Sequence, residues 1–242
     1  MNDQPRERQS EGAGTSFDIF TVLSHDLKSP LNAVESYLDI MINRILGETL
    51  DPYMPILDKS IARLHQMREF INDISDWARI QSPSSPRTFT AIDISKTAHI
   101  ILDMYQGKAR ARNIEISAEI EDALTMKAVG REIDLILRHL VDNAIKYNKD
   151  NGSVTVTIRK AGSHIDIKVA DTGIGMTAEE QARLFQEFVR IKNDKTQGIA
   201  GTGLGLVIIK KLVDLYGGSV SMVSEPDQGT TVSITLFPLL PA

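Results

Sequence analysis

The chain has 242 residues, enough for one large or two small domains. Its 42% hydrophobic and 24% charged content is that of a soluble globular protein, and a net charge of -5 gives no case for non-specific binding to nucleic acid or anionic membrane. There is no cysteine, which excludes disulfides, thiolate metal sites and cysteine nucleophiles, and no apolar run reaches the ~18 residues of a membrane span, so a cytoplasmic location is expected.

Residues 1–16 are polar, without the hydrophobic core of a signal peptide, and read as a flexible tail. From about Phe17 to Leu46 the apolar residues Phe20, Leu23, Leu27, Leu31, Val34 and Leu38 alternate in spacings of three and four, the stripe of an amphipathic helix. His25 lies two residues from both Leu23 and Leu27 and is expected to point away from that stripe. Pro30 cannot donate to the carbonyl of Asp26, a loss of ~3 kcal/mol in a helix interior. The stripe continues in register past it, which predicts a kinked helix rather than a terminated one. An imidazole near neutral pH is part nucleophile and part base, and Asp26 can accept its N–H and leave the other nitrogen free to attack. Taken alone, a surface histidine beside a surface aspartate signals nothing.

A second stripe, Met54, Leu57, Ile61, Leu64, Met67 and Ile71, predicts a helix to about Gln81, joined to the first by a turn after Gly47. Such a hairpin has an apolar seam and no third layer. Two copies side by side make a four-helix bundle, so a homodimer is expected; the alternative is that the seam packs on the rest of the same chain. Ser82-Pro83-Ser84-Ser85-Pro86 is the one clear linker. The domain plan is therefore a tail at 1–16, an all-α hairpin at 17–82, a linker at 83–87 and a second domain at 88–242. In that domain, strands are expected at 89–92, 114–120, 124–129, 154–159, 164–170, 219–224 and 230–237, with helices at 93–111, 132–147 and 204–216. This is an α/β sandwich, with helices on one face of a mixed sheet.

Three constellations in that domain carry chemistry. His139, Asn143, Lys146 and Tyr147 share one edge of a helix. An amide oxygen suits Mg²⁺, and a lysine one turn on is a point charge for phosphate; a solvated helix face is the plain alternative. Asp171-Thr172-Gly173-Ile174-Gly175 follows a strand. Its glycines admit close approach of a ligand, and its carboxylate can accept from an exocyclic amine such as that of adenine; the plain alternative is an Asp-Gly turn. Gly198 to Leu206 opens a helix with Gly201, Thr202, Gly203, Leu204 and Gly205, backbone suited to cradling phosphate. It matches neither a Rossmann fingerprint nor a Walker A loop. The polar stretch 192–197 before it reads as a lid or a mobile loop.

These motifs, in this order, resemble the core of a sensor histidine kinase of two-component signalling. Ser24 to Leu31 looks like the family's H box, Leu140 to Asn148 its N box, Asp171 to Gly175 and Gly201 to Leu206 its two glycine boxes, and Leu184 to Arg190 its phenylalanine box. The resemblance covers Phe17 to Pro238 and implies a dimerisation and phosphotransfer hairpin followed by an ATP-binding domain of the kind shared with gyrase, Hsp90 and MutL. It implies transfer of the γ-phosphoryl of Mg-ATP to His25, then to an aspartate of a response-regulator receiver domain, with Asp26 as general base. Asn143 would ligate Mg²⁺, Lys146 and Arg190 would face phosphates, Tyr147 would flank the nucleotide and Asp171 would bind the adenine amine. The nucleotide contacts would be completed by Gly173, Gly175, Gly201, Thr202, Gly203, Leu204, Gly205 and Thr231.

There are departures. His139 stands where the N box usually has a second asparagine, which bears on magnesium coordination. Ser29 stands where many relatives place the Thr or Asn that positions water for dephosphorylating the partner. A degenerate kinase that binds a receiver domain as a non-catalytic dimeric regulator is the competing reading. No sensory domain is visible, so a separate sensor protein or a missing sensor domain is expected.

Overall fold

The structure is a computed structural model. It describes residues 11–82, 86–191, 193–197, 199 and 201–237, with side chains of the first helix from Leu27 onward. The chain clusters into two compact units, one through Ile74 and one from Ser75 on.

The first unit is a helical hairpin. Helix α1 spans Glu11–Ile42 and contains Pro30, so the proline is absorbed and the helix is not ended by it. It starts earlier than Phe17 because Glu11 to Ser16 have no breaker strong enough to stop a helix already nucleated by the stripe. The turn after it uses left-handed backbone at Arg44 (φ 49°) and Gly47 (φ 111°). Buried Tyr53 ties the turn down: its hydroxyl donates to the Gly47 carbonyl at 2.8 Å and accepts from the Leu46 amide at 3.0 Å. A 3-10 turn at Asp51–Tyr53 leads into α2, Met54–Gln81. Val34 and Phe70 are buried in this unit, but Leu38, Ile42, Ile61, Leu64 and Ile71 are exposed along the seam.

The second unit is an α/β sandwich, as expected. Its strands are β1 (Thr90–Asp93), β2 (Glu115–Ile120), β3 (Thr125–Ala128), β4 (Ser153–Ala161), β5 (His164–Asp171), β6 (Ser219–Glu225) and β7 (Gly229–Leu236). The five-stranded sheet runs in the order β2-β4-β5-β7-β6, with β2–β4 parallel and the other pairs antiparallel; β1 and β3 form a separate antiparallel pair. Helices α3 (Ile94–Arg110), α4 (Gly130–Lys146) and α6 (Gly205–Leu215) cover one face. Strand alternation supplies the core: Val154, Val156 and Ile158 of β4 and Ile165, Ile167 and Val169 of β5 all turn to the helices and are buried. Asp93 caps α3, its carboxylate accepting from the Lys96 amide at 2.9 Å, as its position before the helical pattern predicts. The short helix α5 (Ala178–Gln181) was not among the expected elements, although Thr177 and Glu180 form a full capping box and were its signal.

One partly buried polar network joins three distant segments. Arg87 grips Glu132, at N3 of α4, through two parallel bonds: Nε to Oε1 at 2.8 Å and Nη2 to Oε2 at 2.7 Å. The fully buried Tyr216, which ends α6, donates to Glu132 Oε2 at 2.7 Å and accepts from the Val129 amide at 2.9 Å. Burial, first, and the Glu132 carboxylate hold its phenol above the ordinary value. Tyr216→Phe leaves the Val129 amide without its acceptor and is expected to lower stability by about 1–3 kcal/mol, read as a shift of the urea midpoint at unchanged slope.

Candidate active site

Helix α4 is the platform. Its buried stripe, Ile133, Leu137, Leu140 and Ala144, packs on the sheet, which leaves Asn143, Lys146 and Tyr147 half-buried at its C-terminal end. That end is held by a residue that the sequence reading did not single out. The Arg112 guanidinium donates to the carbonyls of Ile145 at 2.7 Å and Asn148 at 2.7 Å, and to Asp150 at 2.9 Å. A cation on the orphan carbonyls of a helix C-terminus is electrostatically favoured and fixes the last turn.

The strand end of β5 meets this platform directly. The Ile174 amide donates to the Tyr147 carbonyl at 3.0 Å, so the Asp171 loop is stitched to the end of α4. Asp171 Oδ1 accepts from the Gly173 amide at 2.8 Å and the Thr230 amide at 3.2 Å. Both bonds fall on one oxygen, leaving Oδ2 for a ligand. Burial pushes this carboxyl up to about 6; the Gly173 and Thr230 amides oppose the rise but do not cancel it.

Gly175 has φ +58°, and a Cβ there would stand 1.8 Å from the Glu225 carbonyl oxygen. The loop therefore sits on the β6–β7 hairpin, where the Asp227 amide also donates to the Ile174 carbonyl at 2.9 Å. Gly175→Ala is expected to lower stability by about 2–4 kcal/mol and to disorder the Asp171 loop, measured by thermal unfolding and by exchange of the Gly173 amide.

The second glycine stretch closes the other side. A Cβ on Gly201 would lie 3.0 Å from Lys146 Nζ and 3.6 Å from the Tyr147 hydroxyl oxygen, so both side chains converge on that backbone. Lys146 Nζ stands 5.7 Å from the Tyr147 ring centroid. Burial holds the Tyr147 phenol above its usual value, with the Arg190 cation pulling the other way. Gly203 has φ +73°, and its Cα faces the backbone of Phe188 and Val189, a packing closed to any side chain. Thr202 is buried, and its hydroxyl accepts from the Leu204 amide at 3.1 Å; Leu204 is fully buried. Gly205 opens α6 against the His139 ring, so His139 borders the glycine stretch. Arg190 Nη2 donates to the Ile199 carbonyl at 2.6 Å. Residues 193–197 of the expected lid form turns, with Thr196 Oγ1 donating to the Ile191 carbonyl at 2.8 Å; Lys192, Gly198 and Ala200 lie outside the described residues.

Most of the expected nucleotide residues thus form one cluster: Asn143, Lys146, Tyr147, Asp171, Gly173, Gly175, Arg190 and Gly201 to Gly205. Thr231 stands apart from this cluster. Val232, Ile234 and Leu236 face the helices, so Thr231 turns to the opposite face with its partners Ala170 and Val223. Thr230 is the residue beside Asp171. The alternation of apolar residues in β7 was the signal for it.

On the hairpin, His25 and Asp26 have their backbone in α1, but their side chains lie outside the described residues, and Ser29 is exposed on the same helix. Among the described residues no three His, Asp or Glu side chains gather as a metal site. A cation here would be shared between Asn143 and phosphate oxygens. A neutral amide oxygen is a hard donor of the kind Mg²⁺ accepts, so the residues fit it.

Two family descriptions match the chain: the His Kinase A (phospho-acceptor) domain over residues 18–83, and the histidine kinase-, DNA gyrase B- and HSP90-like ATPase over residues 128–240. The non-motile and phage-resistance protein of Caulobacter vibrioides is 32% identical over 88% of this chain and 26% of its own length. The sensor-like histidine kinase SenX3 of Mycolicibacterium smegmatis is 28% identical over 98% of this chain and 60% of its own. The chain therefore spans between a quarter and about three fifths of these two curated relatives. A crystal structure of histidine kinase ThkA in complex with response regulator protein TrrA shares the fold, with a TM-score of 0.69 at 20% identity over 92% of this chain and 61% of that one. A phospho-acceptor hairpin followed by an ATPase domain of this type is the catalytic core of a sensor histidine kinase, and this chain belongs to that family.

Proposed function

We propose that this chain is the phosphotransfer core of a two-component system, moving the γ-phosphoryl of Mg-ATP to His25 and then to an aspartate of a receiver domain. The observation that carries the reading is the Asp171 carboxylate. It is half-buried, oriented by two backbone amides, and stitched through Ile174 to the helix that presents Lys146 and Tyr147. Oδ2 accepts from the adenine amine, and Tyr147 flanks the base. Lys146, Arg190 and the amides of Gly201 to Gly205 hold the phosphates, and Asn143 holds Mg²⁺. Bound magnesium neutralises the charge on the β- and γ-phosphates. The freed imidazole nitrogen of His25 attacks the γ-phosphorus, the bond to the ADP oxygen breaks, and Asp26 takes the imidazole proton. Such a transfer needs positioning and charge neutralisation more than covalent machinery, which suits a nucleophile on one unit and a nucleotide on another.

The exposed seam of the hairpin, with Ile42 at 75% and Ile61 at 51% exposure, supports a homodimer closed as a four-helix bundle. The response regulator bound to ThkA supports a receiver domain as partner. Among the described residues no helix is long and apolar enough to cross a membrane, in keeping with a cytoplasmic site of action.

The test is incubation with γ-labelled ATP and Mg²⁺. Acid-labile, base-stable label that passes to a receiver aspartate is the expected result, because a phosphoramidate hydrolyses in acid and survives base. Acid-stable label would move the acceptor to a hydroxyl. No label from a chain that still binds a receiver domain would favour the regulator reading.

A further inference from the structure

The last turns of α2, Ser75–Gln81, cluster with the second unit. Residues 82–89 join them to β1, and consecutive residues of α4 grip this junction at both ends. At the near end Asp76, 7% exposed, accepts from Arg131 Nη2 at 2.9 Å and pairs with Arg79. Next to it the Trp77 ring stands edge-on to Phe188, centroids 6.1 Å apart, and its Nε1–H donates to Glu187 Oε1 at 3.3 Å. Gln81 Nε2 reaches the same oxygen at 3.4 Å. At the far end Arg87 holds Glu132.

The two ends differ in strength. The Arg87–Glu132 pair is bidentate, with side chains 27% and 14% exposed, and Tyr216 bonds the same carboxylate. The Arg131–Asp76 pair is a single contact with the arginine 62% and the aspartate 10% exposed, and Trp77 and Gln81 reach Glu187 near the outer limit of hydrogen bonding. A pair held by two parallel bonds persists where a single bond from a mostly exposed arginine is more easily lost.

The weak end is also wired to the phosphate cradle. Phe188 carries Trp77 on its ring, while its backbone abuts Gly203; two residues on, Arg190 holds the Ile199 carbonyl. Phe185 and Phe188 both have left-handed backbone, φ 64° and 61°. A phenylalanine keeps that conformation only where its surroundings impose it. The 185–190 segment is thus held in strain between Trp77 and the glycine stretch. A triphosphate that engages Arg190 and the 201–205 amides draws on the same segment.

We propose that the junction is a strap with a fixed end at Arg87 and a releasable end at Trp77, and that nucleotide binding releases Trp77. This rests on the nucleotide reading of the site. Release frees the last turns of α2 from Glu187 and Phe188, with the Arg87–Glu132 pair as the fixed point. Linkage makes the effect reciprocal: whatever loosens Trp77 tightens nucleotide binding by the same factor.

Trp77 is the only tryptophan in the chain, so its fluorescence reads the strap in the intact protein. Saturating Mg²⁺ with AMPPNP is expected to red-shift Trp77 emission and raise its quenching by acrylamide at least twofold. Glu187→Ala is expected to show the shifted emission without nucleotide, and to bind AMPPNP a few-fold more tightly by calorimetry. Arg87→Met is expected to leave the nucleotide-free emission and its response unchanged. Calorimetric binding with unaltered emission, weaker binding by Glu187→Ala, or release by Arg87→Met would each overturn the strap alone. No calorimetric binding at all would overturn the nucleotide reading and the strap with it.

Discussion

An alanine at position 25 is expected to bring acid-labile label from γ-labelled Mg-ATP down by a factor of ~10³ or more, while affinity for Mg-ATP stays within about twofold. The proposed nucleophile is removed, and alanine offers no atom to take its place. Binding survives because every proposed nucleotide contact lies in the unit from Ser75 on, in α4, the Asp171 loop, Arg190 and the 201–205 stretch, whereas His25 lies in the other unit. Alanine is also the best helix former, so α1 keeps its backbone. Filter retention of label and calorimetry on the same preparation separate the two effects. Label that persists in the variant would place the acceptor elsewhere.

Asp171→Ala is the complementary case, with binding and label lost together. The substitution removes the proposed charge-assisted acceptor for the adenine amine, about 1.5–3 kcal/mol by itself. It also strands the Gly173 and Thr230 amides that the carboxylate organises. Together these are expected to weaken Mg-ATP binding some 10²- to 10³-fold by calorimetry.

The same carboxyl predicts a pH profile. Burial lifts it from 3.8 to about 6 in the free protein, and the proposed amine contact calls for the ionised form. Affinity is therefore level above about pH 7 and falls as pH drops through 6, by at most tenfold per unit from this group. Stability of the free protein runs the other way. A pKa raised by folding gives a contribution that is complete below 3.8 and lost as pH rises through 6. Adenosine is the suitable probe, since its binding carries no phosphate titration. An adenosine profile that stays flat from pH 7.5 to 5.5 would remove Asp171 from the amine contact.

Much of this molecule could be read from adjacent residues. The spacing of Phe20, Leu23, Leu27 and Leu31 specified α1 through Pro30, because period and handedness are local properties of the helix. The alternation in Val154 to Ile158 and Ile165 to Val169 specified an antiparallel pair, and Asp93 marked the start of α3. The turns at Asp171 to Gly175 and Gly201 to Gly205 were legible for the same reason, since turn geometry is written in the residues that make the turn.

What stayed hidden depends on residues far apart in the chain. Arg87 meets Glu132 across 45 positions and Tyr216 meets Glu132 across 84, and nothing near any of them announces the pairing. Arg112 could not be known as the cap of α4 before the β2 edge was laid beside it. Thr230 and Thr231 differ only in strand parity, and which of them stands by Asp171 follows from the register of β7 on β5. Sequence alone determined most of the elements, the long first helix and the places of the glycine turns, because these arise from interactions within a few residues. Only the tertiary structure decided which side chains converge and which carboxylate is desolvated, because burial and long-range hydrogen bonds exist only once the sheet and its helices have packed.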